Sequence, residues 1–273
     1  MRILHSPRPA EIQRMSTHEL RDNFLLADLF APGEARLVST GLDRIVAGGI
    51  MPDPELPLDC PADLRARFFH ERRESGVMNI GDPAEVIIDG RHLSVGRLEC
   101  VYIGRGTENV SFRSSPGSQA IFYLLSCPAH RSYPAQRAGI ADAEVIQIGS
   151  AANSSCRKVH RYIHQNGIQS CQLVMGFTAL APGSVWNTWP PHTHNRRSEV
   201  YLYLDLGDNL LMHFLGEPEE SRHIVVRDCQ AVLSPPWSMH CGAGTGAYKF
   251  IWGMAGENQS YDDMDAADPQ LIR

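Results

Sequence analysis

Hydrophobic and polar positions fall into two textures along the chain. Ser16-Thr17-His18-Glu19 reads as a capping box, and Leu20, Phe24 and Leu25 follow it at helical spacing. The pattern predicts one amphipathic helix running to about residue 29, stopped by Pro32-Gly33. From Ala35 onward the apolar runs become short and are broken by Gly, Pro and Asp. Predicted strands cover 35–39, 44–50, 76–80, 85–88, 100–103 and 120–125, with Asp89-Gly90 as a two-residue hairpin turn. Residues 153–158 form a polar break with no predicted element. A second series follows at 170–177, 199–204, 210–215, 223–227, 231–234 and 248–253. Short strands at regular spacing with few helices predict an all-β sandwich or barrel.

The two series echo each other. Phe68–Val77 overlays His192–Tyr201 without a gap, so that His70 matches His194 and Arg72-Arg73 matches Arg196-Arg197. Phe68 stands where His192 is, and Ser75 stands where Glu199 is. The stretch 102–108, in the place of the segment carrying His240, has no histidine. This predicts a duplicated barrel of which only the second copy keeps polar ligands. The expected division is an N-terminal helical segment at 1–34, a first barrel at 35–152 and a second at 153–273.

Composition narrows the class. The chain has 273 residues, a formal net charge of −6 and an apolar fraction of 43%, as in an ordinary soluble protein with ample core. No basic surplus argues for nucleic acid, and no Lys/Arg block or long apolar run argues for a membrane. The seven cysteines are scattered and never in Cys-x-x-Cys, which fits reduced, cytoplasmic usage.

The chemistry concentrates in residues 186–203. On a strand, His192 and His194 would point to one face about 7 Å apart, and Glu199 would open a second strand on which Glu199, Tyr201 and Tyr203 share a face. His240, after Ser234-Pro235-Pro236, is a distal fourth candidate. Three imidazoles and one carboxylate suit zinc, manganese or iron and leave room for substrate or water. Cys241 beside His240 would face the other way and is read as a buried thiol.

His-x-His, a Glu, and a distant His on short strands resemble the cupin metal motif. Asp43–Pro52, Glu71-Arg72-Arg73-Glu74, Trp186-Asn187-Thr188, Arg222–Val225 and Phe250–Gln259 together resemble the 4-deoxy-L-threo-5-hexosulose-uronate ketol-isomerase (5-keto-4-deoxyuronate isomerase) family, over nearly the whole chain. The resemblance implies a bicupin fold and a cytoplasmic homohexamer. It implies one Zn²⁺ per chain on His192, His194, Glu199 and His240, with Mn²⁺ or Fe²⁺ as alternatives. The implied reaction converts 5-dehydro-4-deoxy-D-glucuronate to 3-deoxy-D-glycero-2,5-hexodiulosonate in pectin and uronate breakdown. A related deoxyglucuronate isomerase, a cupin dioxygenase and a non-enzymatic sugar-binding cupin are the alternatives. Two departures, Asn195 and the stretch Ser154–Lys158, bear on substrate tuning and not on the ligands.

Moving a carbonyl to the neighbouring carbon requires a base to carry a proton and a cation to stabilise the enediolate. The sequence does not identify the base. The substrate carboxylate calls for a bidentate arginine. Strand parity places Arg197 on the face of Glu199 and nominates it, with Arg222 as the second candidate.

Overall fold

The computed structural model describes residues 1–273, which form two compact units. The first comprises Met1–Leu4, Asp28–Ala143 and Arg161–Met175; the second comprises His5–Ala27, Glu144–His160 and Gly176–Arg273.

In the first unit the strand Arg73–Asn79 is buried along its length, between Phe122–Pro128 and Cys100–Ile103. A second sheet contains Glu55–Pro57, Val110–Ser114, Ala84–Ile88 and Arg91–Val95. Val77, Val101 and Phe122 from one sheet meet Val86, Ile88 and Phe112 from the other in a single core. Each such side chain contributes roughly 1.5–3 kcal/mol on burial. The hairpin predicted at Asp89-Gly90 is present: Ile88 pairs with Arg91, and φ is 45° at Asp89 and 81° at Gly90. Positive φ at both positions is the geometry that Asp-Gly supplies at low cost.

The second unit repeats the arrangement. Arg197–Leu204 is buried throughout and lies between Lys249–Gly256 and Ala231–Ser234. Ser75 stands opposite Ser126 and Ile103, and Glu199 stands opposite Met254 and Ser234. The two residues that the repeat aligns therefore hold equivalent places on equivalent central strands. The all-β duplicated barrel expected from the sequence is the fold. No helix is long and apolar enough to cross a membrane.

Two local expectations differ. The capped helix is Thr17–Phe24, with Ser16 Oγ accepting from the Glu19 amide, and it stops five residues early. Leu25 and Leu26 leave the helix to pair with Val232 and Ala231 and are themselves buried. A strand edge wanting partners overrides helical periodicity there. The polar break at 153–158 also ends in structure, because Arg157 opens the strand Arg157–Ile163. Its charged and aromatic residues hid the alternation.

Candidate metal centre

The strand Trp186–Thr193 runs antiparallel to His240–Gly244, with Trp186 opposite Ala243 and Asn187 opposite Gly242. The register then shifts, and the next pair is His192 with His240. The extra residues include Pro190 and Pro191, which have no amide to give a ladder, and such a bulge re-aims the residue that follows. Here it sets two imidazoles face to edge, with ring centroids 4.6 Å apart. His194 lies beyond the strand end, contrary to the simple two-residue alternation. Its carbonyl accepts from the Arg197 amide at 3.1 Å, and this tight turn returns the chain into Arg197–Leu204. The turn brings the His194 ring to 4.9 Å from His240, and Glu199 projects into the same space. All four predicted ligand residues converge: one nitrogen or oxygen from each lies within 4.8 Å of the others.

The surrounding hydrogen bonds decide which atoms face inward. His194 Nδ1 lies 2.9 Å from the Arg197 carbonyl, which can only accept, so Nδ1 carries the proton. His240 Nδ1 lies 3.0 Å from Ser234 Oγ and 3.3 Å from the Ser238 carbonyl, with the same consequence. Both Nε2 lone pairs then point at Glu199 Oε2, at 3.1 Å and 3.0 Å. His240 Nε2 is buried without an aligned hydrogen bond. Burial first, then the nearby His240, pushes His192 down to about 2, so its imidazole is in the neutral, ligating form. Lone pairs converging on a carboxylate in a buried site lack only a cation. The residues present fit a divalent metal.

A cavity of about 560 Å³ opens from this cluster, with His192 and Glu199 in its wall. Arg197 also lines it, as parity predicted, but its guanidinium is turned away from an open fork. Nη1 donates to the Ser260 carbonyl, and Nη2 donates to the carbonyls of Tyr261 and Asp263 at 3.0 and 3.1 Å. It pins the segment 260–263 to the strand. Arg222 is not in the cavity wall. Its guanidinium holds the N-terminal arm instead, donating to Ile12 O at 2.8 Å, Gln13 O at 3.4 Å and Met15 O at 2.8 Å. Sequence reasoning passed over two residues. Arg157 lines the cavity and is 9% exposed. His213 is fully buried, with Nδ1 2.7 Å from the Tyr203 hydroxyl, and burial pushes it down to about 3. A lone histidine inside the apolar run 210–215 was the available signal for the latter.

The family model described as "KduI/IolB family" matches residues 70–270. The 4-deoxy-L-threo-5-hexosulose-uronate ketol-isomerase of Opitutus terrae is 49% identical over 268 residues, covering 97% of each chain. The same-named protein of Halalkalibacterium halodurans is 47% identical, covering 98% of this chain and 99% of its own. Among solved structures, an IolB-like protein from Salmonella typhimurium superposes with a TM-score of 0.74 at 13% identity, covering 90% of this chain and 97% of its own. Oxalate decarboxylase of Bacillus subtilis gives 0.61 at 12% identity, over 89% and 79%. The structural matches speak for the fold, and the sequence relatives decide the family. The chain is an isomerase of the KduI/IolB family.

Proposed function

We propose that this protein is a metal-dependent ketol-isomerase acting on 5-dehydro-4-deoxy-D-glucuronate and yielding 3-deoxy-D-glycero-2,5-hexodiulosonate. The observation that carries the reading is the set of inward-facing nitrogens of His194 and His240 around Glu199, with neutral His192 beside them. His192, His194, Glu199 and His240 would hold the ion, and zinc, which this mixed N/O set suits, is the metal the family resemblance implies. When bound, it supplies a Lewis acid that polarises a carbonyl and stabilises enediolate charge without redox change.

The chain's own residues do the rest. The Arg197 carbonyl and the Ser234 and Ser238 oxygens fix the histidine tautomers. Tyr201 and Trp252 wall the cavity with aromatic surface and exclude water from the reacting carbons. Burial, with the charge of Glu199, raises the Tyr201 hydroxyl well above its ordinary value, so it stays neutral, 3.2 Å from Thr188 Oγ1. Asp262 brings to the wall the one carboxylate outside the ligand set. The wider reading follows the family resemblance: a cytoplasmic homohexamer in the breakdown of pectin-derived uronates.

The test is turnover together with elemental analysis. Purified protein should convert the substrate with no consumption of oxygen and should contain zinc without iron. Oxygen uptake with iron at the site would favour a dioxygenase, and binding without conversion would favour a sugar-binding protein.

A further inference from the structure

Arg157 is the arginine in the cavity wall whose Nε–Nη2 edge is not already taken. Its Nη1 donates to the Ser155 carbonyl at 2.9 Å, its Nε and Nη2 meet no acceptor, and no carboxylate pairs with it. Yet the residue is 9% exposed. Burying a guanidinium without a counter-charge is costly unless something else supplies the missing acceptors. The cavity's other arginine cannot share the task, since the Nη1 and Nη2 of Arg197 are committed to the carbonyls of Ser260, Tyr261 and Asp263. Burial lowers the pKa of Arg157, opposed by the nearby Tyr261 and Tyr201 hydroxyls, but a guanidinium remains charged through neutral pH.

The cavity is thus polarised. Its ligand cluster lies at His192 and Glu199. Tyr201 lies within electrostatic reach of both Glu199 and Arg157. A small open-chain acid could span this distance, its oxygenated reacting carbons toward the cluster and its carboxylate toward the guanidinium. A planar carboxylate matches the free Nε–Nη2 edge in the bidentate geometry that arginine offers and lysine does not.

We propose that Arg157 is the carboxylate-binding residue of this cavity and confines its substrates to open-chain sugar acids. The assignment rests on the isomerase reading for the identity of the reaction, though not for the binding of the acid. It displaces Arg197 and Arg222 from that role and gives them structural ones.

The experiment compares wild type, Arg157→Gln and Arg157→Lys as metal-loaded protein. KM and kcat are measured on 5-keto-4-deoxyuronate, and calorimetry measures binding of D-gluconate and of its carboxylate-free counterpart D-sorbitol. Wild type should prefer gluconate. Arg157→Gln should raise KM and weaken gluconate roughly ten- to hundredfold, leave sorbitol unchanged and so erase the preference. Arg157→Lys should recover part of it, and metal content should stay at the wild-type level in both. A variant that folds, as its metal content and melting temperature report, and keeps wild-type KM and the wild-type gluconate preference overturns the assignment. So does a gluconate preference that survives in both variants, because the carboxylate is then held by the metal cluster. Should wild type fail to isomerise the uronate yet lose its gluconate preference on Arg157→Gln, the reaction reading falls and the anion site stands.

Discussion

His194 Nε2 lies 3.1 Å from Glu199 Oε2, while the other ring nitrogen of His194 is 2.9 Å from the carbonyl of Arg197. The aligned histidine of the first unit, His70, has its Nε2 2.8 Å from Ser75 Oγ. One contact sets a lone pair against a carboxylate and calls for a cation. The other is an ordinary hydrogen bond to a hydroxyl, which needs none. The histidine recurs in both units, and the exchange of a carboxylate for a hydroxyl separates a candidate metal site from a packed core.

That contrast yields the first prediction. His192→Ala or His240→Ala should abolish bound metal, and His70→Ala should leave it at one ion per chain. Elemental analysis of the three purified variants is the check. Two ions per chain in the wild type, or metal lost with His70, would refute the division of roles.

The hydroxyl behind His240 should matter next. Ser234 Oγ lies 3.0 Å from His240 Nδ1 and helps to orient the ring. Ser234→Ala should weaken metal affinity roughly tenfold to a hundredfold, the usual effect of removing a ligand's supporting hydrogen bond. Competition against a chelator of known affinity measures it. The variant should still fold, because a small hydroxyl leaves little void.

Arg222 is expected to act on stability and not on catalysis. Its guanidinium joins the strand Glu220–Val226 to carbonyls at Ile12, Gln13 and Met15. Arg222→Ala should cost about 1–3 kcal/mol of stability. Per folded molecule, kcat and KM should stay at wild-type values. A raised KM with an unchanged melting temperature would return Arg222 to the list of substrate contacts.

Buried histidine also sets a pH dependence. Burial, followed by the nearby Arg73, pushes His70 down to about 3 from an ordinary value near 6.5. Between those values the unfolded chain binds a proton that the folded chain refuses, so stability must fall as pH falls through this window. Within the window one such group lowers stability by about 1.4 kcal/mol per pH unit, and its stabilising contribution is present in full above pH 6.5. His213, pushed down to about 3 by burial, acts in the same direction. Denaturant titrations of metal-free protein at pH 7 and pH 5 should show His70→Gln closing the gap to wild type at the lower pH. A gap that stays constant would mean that His70 is protonated in the fold.

The convergence of four side chains and the duplication were legible because each depends on local chemistry: His192, His194, Glu199 and His240 are conspicuous types at telling spacing, and the repeat of Arg72-Arg73 in Arg196-Arg197 marks the duplication. The route by which His192 and His194 converge was not legible. Alternation along one strand suggested it, whereas a bulge through Pro190-Pro191 and a turn at His194 achieve it. Parity placed Arg197 on the right face, yet it could not reveal that carbonyls from residues 260–263 would occupy the fork. Arg157 was hidden for a different reason. It sits in a polar stretch that lacks strand-like alternation, and only tertiary pairing makes it a strand and turns it into the cavity. Leu25 and Leu26 show the same limit, since a helical pattern cannot announce a vacant sheet edge elsewhere in the chain.

On the proposed function, an ion held by His192, His194, Glu199 and His240 is required for the isomerisation of 5-keto-4-deoxyuronate. The most direct test is to strip the protein with chelator, verify the loss by elemental analysis, and titrate zinc back while following turnover. Activity should vanish with the metal and return linearly, reaching its plateau at one equivalent per chain. Full turnover by protein shown to be metal-free would contradict the account.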